Sequence, residues 1–222
     1  MKTFVTTGCA QFGHAEFTLT FRKDPPVPGL ENTLLGYFEA SVSAGKRFKA
    51  GETVQLGWAT LRLTQRTDGT LGVLEPDLAH ELKWVEGVDQ SLVETWRQKE
   101  VLSSLGLLEC ADFPRQALHA VVCTQAFDTP SKMLGRTDAH GQTDSGWFVG
   151  CFDDDHDHQR EDALTVMPLV EIATRAPLLT QFFALPAGTD LVIAPGGIQV
   201  FIDGEAREPR SGSYLEALAH PR

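Results

Sequence analysis

The side chains best suited to chemistry are clustered in the segment Asp153-Asp154-Asp155-His156-Asp157-His158. Carboxylates and imidazoles bind divalent metal ions, and a block of carboxylates also attracts basic protein surfaces. Neighbouring residues on an extended chain point to opposite sides, which is poor geometry for a metal. The central glycine and closing glutamate of a calcium loop are also missing. The segment therefore favours an acidic partner-binding surface, with a metal site and a solvated loop as alternatives.

The rest of the chain shows no catalytic or metal-binding pattern. Ser145 lacks the preceding glycine of a nucleophile elbow. Cys151 and His156 are separated along a strand and a loop, so they are not expected to meet. The cysteines have spacings that fit neither a zinc site nor a redox pair, and they are Cys9, Cys110, Cys123 and Cys151. We therefore expect no enzyme activity, no bound metal and no cofactor.

Composition and charge favour a protein partner over nucleic acid or membrane. The 222 residues carry a net charge of −11, and residues 111–222 contribute most of it, with 8 Lys/Arg against 16 Asp/Glu. Such a surface repels polyanions and steers a basic protein, although acidity for solubility alone gives the same composition. No segment has the character of an export signal or a membrane span. We expect a cytoplasmic protein with reduced cysteines.

An aromatic strand is predicted directly before the acidic segment. Trp147–Phe152 is an apolar run of strand length, and Trp147 is expected in the core. A buried indole N–H needs an acceptor, and Asp144 is near enough in sequence to be a candidate. The junction would place an ordered strand beside concentrated negative charge.

The remaining patterns predict an α+β fold with mixed or antiparallel sheets and packed helices. Apolar residues at helical spacing predict helices over 30–44 and 90–105. A composition shift near 110–114 suggests an N-terminal α+β module over 1–110 and a second α+β domain over 111–222. Short apolar runs between turn signals predict further strands over 17–21, 54–56, 58–63, 71–74, 118–125, 164–167, 191–194 and 198–202.

Several short motifs occur in order around the central strand. They are Ser131-Lys132-Met133, Gly135-Arg136, Asp144-Ser145-Gly146-Trp147 with Gly150, Ala176-Pro177-Leu178-Leu179 and Leu185-Pro186-Ala187-Gly188-Thr189. Over roughly 131–192 the chain resembles immunity-protein family 33, which belongs to bacterial polymorphic-toxin and secretion-dependent competition systems, type VI secretion among them. The acidic segment is richer in aspartate and histidine than this family leads us to expect. Residues 1–110 lie outside the resemblance, either as a toxin-recognition module or as a scaffold extension.

The resemblance implies a non-catalytic protein that binds and neutralises a cognate toxin. A nuclease toxin has a basic cleft, which an acidic surface can occupy in place of nucleic acid. The acidic side chains would face the toxin, and two other residues would shape the loop. The partner-binding residues would be Asp144, Trp147, Asp153, Asp154, Asp155, Asp157, Glu161 and Asp162. The alternatives are a metal-binding protein or metal-dependent enzyme that uses 153–158, and a structural accessory protein of a secretion cluster.

Overall fold

The computed structural model describes residues 1–25, 27–77, 83–152, 156–158 and 160–219. It contains mixed sheets and packed helices, so the predicted α+β class is confirmed. The chain divides into two compact units, Met1–Thr95 and Trp96–Arg222. This division lies earlier in the chain than the composition shift near residues 110–114. Among the described residues, no helix is long and apolar enough to cross a membrane.

The described part of the first unit contains a six-stranded sheet, a 3-10 helix over Ala10–Phe12, one complete α-helix and the start of a second. Helix α1 (Leu30–Ser43) confirms the first predicted helix, and its Phe38 stacks on Phe17 with ring centroids 3.9 Å apart. The strands are β1 (Lys2–Val5), β2 (Phe17–Phe21), β3 (Thr53–Leu56), β4 (Ala59–Gln65), β5 (Leu71–Asp77) and β6 (Lys83–Glu86). Their order in the sheet is β1-β2-β5-β4-β3, with β6 beside β5, and the β2–β5 pair is parallel.

Helix α2 (Asp89–Leu105) confirms the second predicted helix and contains the point at which the units divide. The second unit contains a seven-stranded sheet in its described part. Helices α3 (Leu169–Arg175) and α4 (Tyr214–Ala219) and a 3-10 helix over Pro177–Phe182 belong to this unit. The strands are β7 (His119–Cys123), β8 (Lys132–Arg136), β9 (Asp144–Cys151), β10 (Leu164–Pro168), β11 (Thr189–Ala194), β12 (Gly197–Ile202) and β13 (Glu205–Ala206).

The parallel pair β7–β9 lies inside this second sheet and positions the central motifs. The strand order is β10-β7-β9-β8-β11-β12-β13, and the pairs other than β7–β9 are antiparallel. His119 lies opposite Asp144, whereas Val121 lies opposite Phe148, so β9 has extra residues at this point and forms a bulge. Because the two strands are parallel, their carboxyl ends lie at the same edge of the sheet.

One face of the second sheet is buried and the other is accessible. On the buried face, Trp147 packs near Phe183, with ring centroids 5.7 Å apart. On the accessible face, Val166, Val121 and Phe148 lie opposite one another on three neighbouring strands. Val166 is 66% exposed and Val121 is 38% exposed. The sheet therefore has a core side and a side on which other molecules can bind.

Candidate functional site

Asp144 organises the loop that precedes β9. Its Oδ2 accepts a hydrogen bond of 2.7 Å from the backbone N–H of His140, and its Oδ1 accepts one of 2.9 Å from that of Gly146. These donors lower the pKa of the Asp144 carboxyl because they stabilise its charged form. Both carboxylate oxygens are thus engaged by the chain's own backbone.

Ser145 forms hydrogen bonds with two backbone groups at the point where the pairing of β7 and β9 changes register. Its hydroxyl donates a hydrogen bond of 2.7 Å to the carbonyl of His119 and accepts one of 3.3 Å from the N–H of Trp147. The side chain is buried, so these bonds replace contacts with water that burial removes. Ser145 therefore belongs to the hydrogen-bond pattern of the sheet rather than to a surface turn.

Trp147 is part of the core and is 1% exposed. Its indole Nε1 donates a hydrogen bond of 3.1 Å to the carbonyl of Phe183. The expectation that Asp144 accepts this bond is wrong, since the carboxylate of Asp144 serves the loop while the indole points into the core. The Trp147 side chain is not available as a surface contact, and any part it has in binding comes through the strand that it supports.

Arg136, at the end of β8, is a buried cation beside this tryptophan. Its guanidinium carbon lies 5.5 Å from the centroid of the Trp147 ring. Its Nη2 donates to the carboxylate of Asp112 at 2.8 Å, and its Nη1 donates to the backbone carbonyls of Asp112, Phe183 and Leu185. Burial lowers the pKa of Arg136, and the charge of Asp112 opposes that effect. The guanidinium thus links β8 to the segment that leads into β11.

The acidic side chains after β9 are described only in part. Asp153, Asp154 and Asp155 lie outside the described residues, as does the side chain of Glu161. Asp157 is exposed. The Asp162 side chain is 73% exposed and forms an ion pair of 2.9 Å with Arg160, which lowers the pKa of the Asp162 carboxyl.

The structure does not bring the predicted partner-binding residues into one patch. Asp144 begins β9, and Asp157 and Asp162 come after the end of that strand. Eight residues of strand correspond to roughly 25 Å, at about 3.3 Å per residue. Only the residues after β9 therefore form a candidate acidic surface. An open depression of about 300 Å³ lies here, and it is lined by Thr124, Gln125, His156, Asp157, Arg160, Asp162 and Ala163.

A cluster of cysteine and histidine side chains lies at the same edge of the sheet. Cys123 ends β7 and Cys151 ends β9, and their sulfur atoms are 3.6 Å apart. Ligand atoms of Cys123, Cys151 and His156 all lie within 4.8 Å of one another. His158 Nε2 is 3.3 Å from the sulfur of Cys151. The expectation that Cys151 and His156 do not meet is wrong.

Sequence spacing could not reveal this cluster, because two of its members come from different strands. The one available signal is that two predicted strands each contain a cysteine near the carboxyl end. That signal becomes informative only once β7 and β9 are known to be parallel neighbours. The histidines then follow β9 closely enough to reach the sulfurs.

Part of the chain matches the model of a known protein family. The family model of the Imm33-like domain matches residues 97–203. This range includes the residues of the central motifs and begins before the boundary expected near residue 110. Residues 97–203 therefore match an Imm33-like domain, which confirms the resemblance seen in the sequence. No curated protein and no solved structure matches the chain.

Proposed function

We propose that this protein is an immunity protein that binds a cognate antibacterial toxin and neutralises it inside the producing cell. The match of residues 97–203 to the Imm33-like domain is the observation that carries the proposal. Neutralisation by binding is stoichiometric and needs no bond-making by this chain. The protein would act by covering a functional surface of the toxin.

The acidic surface after β9 supports a basic toxin as the partner. Asp157 and Asp162 are exposed there, and Asp153, Asp154 and Asp155 precede them in the chain. Arg160 offsets part of this charge through its ion pair, but carboxylates still outnumber cations in the segment. Closely spaced carboxylates resemble a polyanion, so a nuclease cleft that binds phosphates is a suitable target. Their main effect would be on the association rate and on specificity.

Apolar residues close to the acidic surface provide candidate anchors. Phe152, which follows β9 directly, is 56% exposed. Phe148 is half-buried on the accessible face, and its ring contacts that of His158 with centroids 5.8 Å apart. Aromatic side chains at the centre of an interface, surrounded by polar residues, supply much of the affinity of protein complexes. Phe152 and Phe148 therefore replace the buried Trp147 as the aromatic residues able to touch a partner.

The proposal is tested with the product of a toxin gene that neighbours the gene of this chain. The two proteins are co-expressed, and both co-purification and survival of the host are measured. A stable complex that protects the host is the expected result. A host that dies although the immunity protein is present in excess would overturn the proposal.

A charge-matched pair of variants locates the surface. The test variant replaces Asp153, Asp154, Asp155 and Asp157 with asparagine. The control removes the same charge from exposed positions elsewhere, through the substitutions Glu109→Gln, Asp138→Asn, Glu205→Gln and Glu208→Gln. Weaker binding and protection by the test variant alone would support the acidic surface. Equal protection by both variants would exclude it from the interface.

A further inference from the structure

The two buried sulfurs at the edge of the second sheet have the separation that one metal ion requires. Cys123 Sγ and Cys151 Sγ are 3.6 Å apart, and both side chains have no exposed surface. In a tetrahedral zinc site with Zn–S bonds of about 2.3 Å, two sulfur ligands lie about 3.8 Å apart. The sulfurs of a disulfide are separated by about 2 Å, so the two cysteines are free thiols and both sulfurs are available as ligands.

Two histidines on the loop side offer nitrogen donors; the group whose ligand atoms all lie within 4.8 Å of one another includes His156, and His158 lies beside it against Cys151. Both ring nitrogens of His156 lie 3.9 Å from Cys123 Sγ, and His158 Nε2 lies 3.3 Å from Cys151 Sγ. In a tetrahedral zinc site, sulfur and nitrogen ligands are about 3.5 Å apart. The rings of His156 and His158 stack on each other with centroids 4.9 Å apart.

We propose that Cys123, Cys151, His156 and His158 bind one zinc ion. Two thiolates and two imidazoles form a tetrahedral S₂N₂ set, which favours zinc over the oxygen-binding ions calcium and magnesium. The backbone N–H of Gln125 donates to Cys123 Sγ at 3.4 Å, a contact that stabilises a thiolate from outside the coordination sphere. Binding releases the protons of the two thiols to solvent and changes no oxidation state.

A site with four protein donors is closed and has a structural role. It joins the ends of β7 and β9 to the loop that carries both histidines. This inference does not depend on toxin binding, because metal binding is measured on the isolated protein. It also differs from a cation site made by the aspartates, since the proposed donors are two sulfurs and two imidazoles.

The test uses the full chain, purified under reducing conditions and freed of metal with a chelator. Zinc is then added, and bound metal is measured after gel filtration. Cobalt is added in a parallel titration because thiolate coordination gives a charge-transfer absorption and tetrahedral geometry gives intense visible bands. One zinc per chain, together with both cobalt signals, is the expected result. Failure to retain zinc would overturn the proposal.

Single substitutions identify the donors. Cys123→Ala and Cys151→Ala are expected to abolish stoichiometric zinc and the thiolate–cobalt band. His156→Asn and His158→Asn are expected to weaken binding and change the visible cobalt bands. These histidines are half-buried, so their variants test the site even if the buried cysteines are needed for folding. Circular dichroism confirms that each variant tested is folded.

Matched controls distinguish the four proposed donors from thiols, imidazoles and carboxylates elsewhere in the chain. Cys110→Ala removes an exposed thiol, and His140→Asn removes an exposed imidazole, so both variants should bind zinc like the parent. The variant with the substitutions Asp153→Asn, Asp154→Asn, Asp155→Asn and Asp157→Asn should also retain zinc. Loss of zinc in that variant, or its retention in both cysteine variants, would contradict the proposed donors. A Cys123–Cys151 disulfide in a protein that binds no zinc would overturn the proposal in favour of a redox pair.

Discussion

Gly146 lies directly against the backbone carbonyl of Thr137. A Cβ atom at position 146 would be 2.1 Å from that oxygen, and the residue has a φ of 73°, in the left-handed region. The N–H of Thr137 donates a hydrogen bond of 3.0 Å to the carbonyl of Gly146. The glycine of the Asp144-Ser145-Gly146-Trp147 motif is thus required by a close approach of two backbone segments.

Gly146→Ala is expected to destabilise the protein strongly. Left-handed backbone costs an alanine about 1–2 kcal/mol, and relief of the clash adds about 1–3 kcal/mol, because a backbone atom must move. The free energy of unfolding from urea denaturation measures the effect. Gly141→Ala is the matched control, since Gly141 has a φ of 91° but no atom within 4 Å of the added Cβ. Equal losses for the two variants would show that the contact with Thr137 is unimportant.

Arg136→Met is expected to lower the free energy of unfolding by about 2–4 kcal/mol. The reason is that the buried backbone carbonyls that accept hydrogen bonds from the Arg136 guanidinium lose their donor. Arg136→Lys should recover only part of the loss, since a single ammonium does not reproduce the planar fork. Urea denaturation measures both variants. Arg175→Met is the control: its exposed ion pair with Glu171 spans one helical turn and is worth about 0.3–0.5 kcal/mol. A loss for Arg136→Met no larger than that of the control would contradict the structural role of Arg136.

Asp144→Asn is expected to cost about 1 kcal/mol near neutral pH, because two backbone donors lose a charged acceptor. The pKa of the Asp144 carboxyl is lowered in the folded protein, so its contribution is present above the unfolded-state pKa. That contribution is lost as pH falls through the folded-state pKa. The difference in unfolding free energy between parent and variant should therefore shrink on acidification. A difference in unfolding free energy that stays constant down to about pH 3 would contradict this role of the Asp144 carboxylate. Asp138→Asn, a substitution in the same loop, serves as the control.

The sequence was sufficient to predict helices and strands that depend on residues close together in the chain. Helix α1 follows from an apolar stripe at helical spacing, and its residues Leu30, Leu34, Phe38 and Val42 are all buried. Strand β8 was not predicted because it ends in Arg136, a residue type that is rarely buried. Its burial depends on carbonyls contributed by distant segments, which no local pattern encodes.

The sequence predicted only those parts of the candidate site that are visible as residue types along the chain. Concentrated carboxylates after an aromatic strand are visible in the sequence, and so are the motifs that resemble the Imm33-like family. The pairing of Cys123 with Cys151 is a consequence of parallel β7–β9 pairing and could not be deduced from spacing. Asp144 and Asp157 were both predicted to take part in partner binding, and the strand β9 separates them.

The acidic surface after β9 is expected to control how fast the toxin associates. In the variant with asparagine at 153, 154, 155 and 157, the association rate constant should fall by about tenfold or more at low salt, because electrostatic steering is weakened. The slope of that rate constant against salt concentration should also flatten, while the dissociation rate constant changes less. Stopped-flow or surface-plasmon measurements at several salt concentrations test this. The control with the substitutions Glu109→Gln, Asp138→Asn, Glu205→Gln and Glu208→Gln should keep a steeper slope, since its lost charges are elsewhere on the surface. If the two variants gave the same slope, net charge rather than the acidic surface after β9 would govern association.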